Sequence, residues 1–339
     1  MWKRVAVFTR FATDYERRCF AGLAQYAKEA DWDLVCDHLQ DATATEALRP
    51  GFGVRGVVCS LLSRKEVAAR VKRARVPTVD ISGDECVETA GLPRVLPDDI
   101  EVGRVAARHL VAQGFRQLAL VSYEEFPFSD RRLAGFQEVL AAAGLPCTTL
   151  RTPMPQSVER RELRVLAQFL RDLPKPVGVF GIADLRAREL IRAAALAGVR
   201  VPEEAAIVGV DDERHICESV TPAVSSIPLD GFRAGYEAAA MLARLMKGET
   251  PPSGPLLIPP RSLVVRASSS LLAIQDPDVA AAVRFLREHA HDEALNIDIV
   301  VQQTALSRRS LELRFRRVLG RTIQKELTRL RPERAPQLL

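Results

Sequence analysis

A regular alternation of short apolar runs with amphipathic helical stretches is the feature that most constrains the fold of this chain. The predicted strands span residues 4–8, 34–36, 56–59, 78–81, 117–122, 177–180, 206–210 and 256–258. The predicted helices between them span residues 15–30, 102–113, 131–143, 186–197 and 231–245. Repeated strand–helix–strand units form parallel sheets with helices on both faces. Because this region is longer than one mononucleotide-type α/β unit, we expect two α/β lobes with doubly wound parallel sheets.

The alternation ends in a serine-rich stretch at residues 266–275, and only helical patterns follow it. Asp276 and Pro277 are typical of a helix start, where a capping side chain precedes a proline at the first helical position. The helical patterns cover residues 277–290, 298–304, 307–319 and 322–330. We therefore predict an α/β domain over residues 1–268, a linker over 269–275 and a small all-α module over 276–339.

Charge is distributed unevenly between these two parts. The chain of 339 residues has a net charge of +5, from 48 Lys and Arg against 43 Asp and Glu. Between Ser307 and Arg334 there are ten basic and three acidic residues, an excess of +7, so the rest of the chain has a net charge of −2. A nearly neutral body with a basic C-terminal segment is the asymmetry expected of a protein that binds a polyanion.

The basic segment has the pattern of a helix-turn-helix unit. A short predicted helix and a tight turn precede a basic helix that has an apolar stripe at Leu311, Phe315, Val318 and Leu319. In such units the second helix enters the major groove of DNA, and its polar side chains contact phosphates and base edges. The predicted DNA-contacting residues are Ser307, Arg308, Arg309, Glu312 and Arg316. The alternative interpretation is a solvated basic face.

Two predicted strands end in acidic residues. Asp184 follows the strand at residues 177–180, with Arg186 two positions later, and Asp211 follows the strand at residues 206–210. Open α/β sheets bind small ligands at the carboxyl ends of their strands, and carboxylates with arginine can hydrogen-bond the several hydroxyls of a polyol. The alternative interpretation of each aspartate is that it caps the following helix.

Catalytic and cofactor motifs are absent from the sequence. It contains no GxSxG, P-loop or HExxH motif and no clustered metal ligands, and its five histidines are scattered apart from one pair. The segment 51–56 matches GxGxxG but leads into a predicted strand, whereas the dinucleotide fingerprint opens a helix. We therefore predict no cofactor, no metal and no enzymatic activity.

Six cysteines without a CxxC pair are typical of reduced thiols in a cytoplasmic protein. The apolar run near the N-terminus is too short for the core of a signal peptide, and no stretch of ~20 apolar residues could span a membrane. We predict a cytoplasmic location and no membrane partner.

Several segments of the α/β region resemble the sensor core of LacI/GalR-type regulators. They are residues 95–99, 103–120, 132–136, 198–203, 207–212, 221–227 and 260–266, together with Asp184. The resemblance implies a type I periplasmic-binding-protein-like fold over residues 3–268, a small-molecule sugar as effector and a homodimer. It further implies a sugar cleft between the lobes, lined by Asp14 or Tyr15 from the first lobe and by Arg132, Asp184, Arg186 and Asp211 from the second.

The segment 306–323 resembles the first DNA-binding unit of AraC/XylS-type regulators. A LacI/GalR-type core followed by an AraC/XylS-type module is similar to the domain order of xylose-responsive operon regulators. The resemblance therefore implies operator DNA as a partner and a pentose, xylose, as the effector.

The C-terminal module departs from the AraC/XylS pattern in several ways. Members of that family have two helix-turn-helix units joined by a long helix, and the sequence given ends within the segment that resembles the joining helix, residues 330–339, which has prolines at 332 and 336. Leu313 stands where the family usually has Lys or Arg, and Ala305 stands where it has a turn glycine. We expect half of the usual DNA footprint and weak, salt-dependent binding.

Three alternative functions remain open at this stage. One is a sensor that has lost operator binding, and the second is a sugar-binding protein that serves transport. The third is a nucleotide-dependent α/β sugar enzyme. The basic C-terminal segment argues against transport, and the absence of a phosphate loop and of a catalytic motif argues against the enzyme.

Overall fold

The computed structural model describes residues 3–38, 46–49, 51–60, 65–82, 91–124, 126–154, 160–270, 276–290, 292, 294–319 and 321–330. Its strands, in chain order, are β1 (Lys3–Thr9), β2 (Trp32–His38), β3 (Val54–Cys59), β4 (Thr78–Asp80), β5 (Val95–Pro97), β6 (Gln117–Tyr123), β7 (Cys147–Thr152), β8 (Val177–Gly181), β9 (Ala205–Val210), β10 (Ser225–Ile227) and β11 (Leu256–Ile258). Its α-helices are α1 (Asp14–Glu29), α2 (Lys65–Ala74), α3 (Asp99–Ala112), α4 (Pro127–Ala142), α5 (Arg160–Asp172), α6 (Asp184–Ala197), α7 (Arg214–Cys217), α8 (Gly231–Leu245), α9 (Pro277–His289), α10 (Ile297–Val301), α11 (Arg308–Leu319) and α12 (Ile323–Leu330).

The chain divides into two compact units. One comprises residues 1–112 and 116–270, and the other comprises residues 113–115 and 271–339. The first unit has a two-lobed α/β fold, and the described elements of the second are the helices α9 to α12. Residues 271–275 of the predicted linker lie outside the described residues, as do residues 331–339 of the segment that resembles a joining helix.

The first lobe is built on a four-stranded parallel sheet with the order β2-β1-β3-β4. Its central strand β1 is buried over its last five residues, and Val5 pairs with Leu34 on one side and with Gly56 on the other. The helices α1 and α8 pack against each other at very short distance, since a Cβ atom at Gly235 would lie 1.7 Å from the carbonyl oxygen of Cys19. Glycine permits this backbone approach, so both helices share one apolar core with the sheet.

The second lobe is built on a five-stranded parallel sheet with the order β10-β9-β8-β6-β7. The strands β8 and β9 are buried at every position, as expected for a parallel sheet covered on both faces. The helices α3 and α4 repeat the glycine-mediated packing, because a Cβ atom at Gly103 would lie 2.0 Å from the carbonyl oxygen of Arg132. This close packing places Asp99, the first residue of α3, beside the first turns of α4.

The chain crosses between the two lobes three times: between β5 and α3, between β10 and α8, and after β11. The strands β5 and β11 form a small parallel pair, and a bridge between Asp80 and Arg94 connects this pair to β4 of the first lobe. After β11 the chain returns to the second lobe, where Val264 pairs with Ser226.

The helical unit has an apolar core of its own. It is formed by buried residues from all four helices and the loops between them: Val279, Ala282, Val283, Leu286, Ala290, Leu295, Val300, Leu311, Phe315, Leu319, Ile323, Leu327 and Leu330. The side chain of Asp276 accepts hydrogen bonds from the backbone N–H groups of Asp278 and Val279 and so caps α9. Asn296 caps α10 in the same way through the N–H of Ile299.

The predicted fold class is confirmed, and several elements correct the prediction in detail. Three strands, β5, β7 and β10, and three helices, α2, α5 and α7, had no counterpart among the predicted elements. The helix predicted at 298–304 is α10, which ends at Val301. The glycine-rich segment 51–56 leads into β3 rather than into a helix, with Gly51 and Gly53 at φ of +89° and +77°.

Candidate functional site

A hydrogen bond joins the two lobes at the start of α1. Thr13 caps this helix: its hydroxyl accepts a bond from the N–H of Glu16, and the Glu16 carboxylate accepts one from the N–H of Thr13. The next backbone N–H, that of Asp14, donates to Oε1 of Glu213 at 3.0 Å. Since Asp14 follows β1 of the first lobe and Glu213 follows β9 of the second, the carboxyl ends of the two sheets meet here.

The first-lobe residues predicted to bind sugar differ in their environment. The carboxylate of Asp14 accepts a hydrogen bond from Arg18 Nε at 2.6 Å and lies 3.7 Å from Arg17. Its negative charge is therefore paired with arginines at the surface of α1. The hydroxyl of Tyr15 is buried and has no hydrogen-bond partner. Burial raises the pKa of Tyr15 well above its ordinary value, and the neighbouring Cys19 thiol and the charges of Asp99 and Asp211 raise it further. The Tyr15 hydroxyl therefore lies within electrostatic range of acidic groups of the second lobe.

Arg132 is held by two contacts in the second lobe. Its Nε donates to Asp99 Oδ1 at 2.9 Å and its Nη1 donates to the carbonyl oxygen of Ile182 at 2.6 Å. Its guanidinium lies over the ring of Phe128, 4.7 Å from the ring centroid. Asp99 is satisfied on its other oxygen by Arg131 at 3.0 Å. Within the described residues no hydrogen bond uses Nη2 of Arg132, so this nitrogen can donate to a ligand.

Asp211 follows β9 in a strained backbone conformation. Its φ is +106°, a region that residues other than glycine rarely adopt and that is often found at functional sites. No hydrogen bond or ion pair to its carboxylate is present among the described residues. Burial raises its pKa to about 7, opposed by the charge of Arg132 and reinforced by those of Glu213 and Asp99. The Asp211 carboxylate is thus a hydrogen-bond acceptor close to Nη2 of Arg132, the free donor.

Asp184 has a different environment from Asp211 although both follow strands. Both of its oxygens accept hydrogen bonds from the protein: Oδ1 from the Ser226 hydroxyl at 2.6 Å, and Oδ2 from the Glu213 N–H at 2.8 Å and the Cys217 thiol at 3.2 Å. Burial and the charge of Asp211 raise its pKa to about 8. Asp184 is the first residue of α6 and not its cap, which is Ala183. The side chain therefore ties the segment after β9 to strand β10.

Arg186 is fully buried in a polar cluster of the second lobe. Its Nη1 lies 2.6 Å from Glu162 and 2.9 Å from Glu189, and its Nη2 donates to the Thr152 hydroxyl at 2.8 Å. Its guanidinium lies over the ring of Tyr123 at 4.3 Å. The charge of Arg186 is therefore used to hold β7 and α5 against α6, and a contact with sugar stays a prediction.

The structure brings together three of the six predicted sugar-binding residues with polar atoms that lack a protein partner: Tyr15, Arg132 and Asp211. Asp14 approaches them through its backbone, and Asp184 lies behind them with its oxygens occupied. A phenol, a guanidinium N–H and a carboxylate offer donors and acceptors in the combination that sugar hydroxyls need.

Sequence reasoning missed three contributors to this cleft. Asp99 orients Arg132, Phe128 lies against the same guanidinium, and Glu213 joins the lobes. In the sequence, Asp99 was marked only by its position at a helix start, and Glu213 only by its position after a strand. Many solvated acidic residues occupy the same kinds of position. No group of three potential ligands that could hold a metal occurs within the part of the chain that the structure describes.

The second candidate surface is the outer face of α11. Arg309 and Arg316 are exposed and make no ion pair among the described residues. Arg308 instead donates from Nη1 to Asp298 at 2.9 Å and from Nε to Glu312 at 3.2 Å. The hydroxyl of Ser307 accepts a bond from the N–H of Ser310 at 3.4 Å, just before the helix starts.

The apolar stripe predicted on α11 is confirmed, since Leu311, Phe315 and Leu319 are buried in the core of the helical unit and the partly buried Val318 packs against it. No helix within the described residues is long and apolar enough to cross a membrane.

Comparison with known proteins places these observations in a context. Residues 107–269 match the model of a periplasmic-binding-protein-like domain. The chain is 26% identical over 336 residues to the xylose operon regulatory protein of Escherichia coli strain K12, an alignment that covers 96% of this chain and 84% of the relative.

Two solved structures are similar to this fold. The structure of a xylose-binding transcription activator has a TM-score of 0.76 and 23% identity, with coverage of 100% of this chain and 88% of the other. A LacI-type regulator of Alkaliphilus metalliredigens in complex with D-xylulofuranose has a TM-score of 0.60 and 18% identity, with coverage of 79% and 99%. The relatives are regulators of transcription and not enzymes.

Proposed function

Since the chain is a homologue of the xylose operon regulatory protein over nearly its whole length, we propose that it is a sugar-responsive, DNA-binding regulator of transcription. The observation that carries this proposal is the group formed by Tyr15, Arg132 and Asp211 where the lobes meet. These residues combine an unsatisfied hydroxyl, a free guanidinium N–H and an unpaired carboxylate.

The proposed effector is a pentose, and xylose in particular. A pentose presents several adjacent hydroxyls, each able to donate and to accept a hydrogen bond. Arg132 Nη2 and the Tyr15 hydroxyl can donate, and Asp211 can accept from two hydroxyls at once. The ring of Phe128 lies against the Arg132 guanidinium and keeps it in place. Both carboxylate oxygens of Asp184 already accept hydrogen bonds from the protein, which supports a role in shaping the cleft.

The proposed response is a change in how tightly the lobes close. A ligand shifts such an equilibrium only through its different affinities for the open and the closed states. Tyr15 of the first lobe and Arg132 and Asp211 of the second lobe can contact one sugar together only when the lobes are closed. The bond between the Asp14 N–H and Glu213 stabilises the same closed arrangement.

The proposed DNA-binding surface is the outer face of α11. Arg309 and Arg316 are its exposed cations without ion-pair partners, and Arg308 reaches a partner only by giving up its contacts with Asp298 and Glu312. The proposal includes a homodimer, which would present two such helices to an operator, and it requires a cytoplasmic location, where operator DNA is found.

Isothermal titration calorimetry of the full chain against a panel of sugars tests the sensing part of this proposal. We expect xylose or a closely related pentose to bind, and Asp211→Asn to lower the affinity at least tenfold because a charged acceptor of hydroxyl protons is lost. Asp172→Asn, an exposed aspartate at the end of α5, is the matched control and should bind like the original protein. The absence of heat with every mono- and disaccharide would overturn the proposal.

A further inference from the structure

Leu313 is an apolar side chain in the middle of the basic face of α11. Its exposed fraction of 62% is the highest among the large apolar side chains described as exposed. Every other leucine of this helix, Leu311 and Leu319, is buried in the core of the helical unit. A single exposed leucine needs no explanation by itself, so its surroundings decide its meaning.

The helical geometry places Leu313 on the outward face of α11. Successive residues are rotated by about 100° around an α-helix. Leu311, Phe315 and Leu319 point inwards, and the direction opposite to their mean falls between Leu313 and Arg317. Its neighbours on the surface are the residues four before, three after and four after it, which are Arg309, Arg316 and Arg317.

These three arginines differ from the other two of the helix. Arg309, Arg316 and Arg317 are exposed and make no ion pair among the described residues. Arg308 is paired with Asp298 and Glu312, and Arg314 lies 3.2 Å from Asp276 and 3.5 Å from Asp278. The acids of the unit therefore neutralise the flanks of α11 and leave unpaired positive charge around Leu313. A polyanion is the partner that this charge distribution fits.

We propose that Leu313 reads a thymine through its 5-methyl group in the major groove. This inference rests on the proposed DNA-binding function and names the base that α11 selects. Thymine is the only base that presents a methyl group in that groove, and an apolar side chain recognises it by removing apolar surface from water. Leucine cannot hydrogen-bond the donors and acceptors of the other bases, so contact with them leaves those groups desolvated without a partner. The surrounding arginines hold phosphates and carry no base preference.

The test compares thymine with uracil, which lacks only the methyl group. Preferred sequences are first selected from a random DNA library with the full chain, in the presence and absence of xylose. Each thymine of the selected duplex is then replaced in turn by uracil, and the dissociation constant is measured by fluorescence anisotropy at one salt concentration. We expect one substitution to weaken binding about fourfold, the effect of one methyl group removed from an apolar contact.

Leu313→Ala identifies the side chain that senses the methyl group. This variant should bind the thymine duplex more weakly than the original protein and should be insensitive to uracil at the same position. Leu196→Ala is the matched control, because Leu196 is exposed to a similar extent, 55%, on α6. Arg309→Ala should weaken both duplexes equally and keep the fourfold difference between them.

The outcomes separate this inference from the function on which it depends. Selection of a sequence in which no uracil substitution matters, or an equal uracil effect in Leu313→Ala, overturns the thymine contact and leaves DNA binding intact. Salt-insensitive or absent binding to every duplex overturns the DNA-binding function and the thymine contact together. Unchanged binding of the thymine duplex by Leu313→Ala also overturns the inference. If this variant then loses binding to a protein partner, the face belongs to that partner.

Discussion

The carboxylate of Glu213 accepts a hydrogen bond from the backbone N–H of Asp14, with 3.0 Å between Oε1 and N, and this bond crosses from one lobe to the other. The backbone N–H of Glu213 donates in turn to Asp184, which is also bonded to Ser226. A carboxylate at the start of a helix is favoured by the helix dipole and by the N–H groups that the first turn leaves unpaired. One side chain therefore joins the loop after β9 to the first helix of the opposite lobe.

Replacement of Glu213 by alanine should weaken sugar binding without removing a ligand contact. A hydrogen bond to a charged group at a helix start contributes about 1 kcal/mol, so we expect the dissociation constant for xylose to rise about fivefold. Titration calorimetry measures this change. Glu218→Gln is the control, since Glu218 is an exposed residue paired with Arg214. Unchanged sugar affinity in Glu213→Ala would show that the bond does not stabilise the closed lobes.

The pKa of Asp211 predicts a pH dependence of stability. Its value of about 7 in the folded protein lies above the ordinary value near ~3.9, so the folded state is harder to ionise than the unfolded chain. The free energy of unfolding should therefore fall as the pH rises from about 4 to about 7, and this loss should be absent below that range.

Asp211→Asn should remove part of this pH dependence. We expect the variant to be more stable than the original protein by about 1 to 2 kcal/mol at pH 8, and to differ little at about pH 3, where the carboxyl group is mostly protonated in both states. Urea unfolding in the absence of sugar measures the difference. Asp172→Asn is again the control. A stability gain of the same size at both pH values would contradict the assignment.

Close packing between α3 and α4 predicts a stability effect at Gly135. A Cβ atom there would lie 1.9 Å from the carbonyl oxygen of Ile100, a distance that requires the two helices to separate. We expect Gly135→Ala to lower the free energy of unfolding by about 1 to 3 kcal/mol, the usual cost of overpacking. Gly254→Ala is the control, because nothing lies within 4 Å of a Cβ atom built there. Equal stability of the two variants would contradict the described packing.

The arginines of α11 should differ in their contribution to DNA binding. Arg309→Ala and Arg316→Ala should each weaken binding and reduce the slope of log affinity against log salt by about 1, as expected for one lost phosphate contact. Arg308→Ala should have a smaller effect, since its guanidinium is already paired with Asp298 and Glu312. Lys72→Ala on α2 is the control. A larger effect at Arg308 than at Arg309 would reverse this ranking.

The repeated elements of the fold could be predicted because their periodicity is local. Buried strands such as β8 and β9 are continuous apolar runs, and the helices between them have one apolar face. The missed strands lack this signal. β5 and β10 have only three residues each, β5 ends in Pro97, and β7 lies at the edge of its sheet with exposed residues at Thr148 and Thr149. Tertiary pairing fixes such segments, and sequence periodicity does not record it.

The candidate site could be predicted only in part, for a similar reason. Asp184 and Asp211 both follow neighbouring strands, Asp184 three residues after β8 and Asp211 directly after β9, and the sequence alone does not show which carboxylate stays free. Their difference comes from Ser226 and Cys217, residues far along the chain that satisfy the first carboxylate and do not reach the second. The pairing of Asp99 with Arg132 likewise depends on the packing of α3 against α4. Contacts of this kind follow from topology and become visible only in the folded chain.

The most direct test of the central claim measures sugar affinity and DNA affinity in the same preparation of the full chain. The affinity for xylose is determined by calorimetry with and without a saturating duplex selected from random DNA. Thermodynamic linkage requires two ratios to be equal: the ratio of the xylose affinities with and without DNA, and the ratio of the DNA affinities with and without xylose. Typical allosteric coupling gives a ratio of about 5 to 150. We predict a ratio in that range, and a smaller ratio in Glu213→Ala. Sugar affinities that are identical with and without DNA would contradict the account.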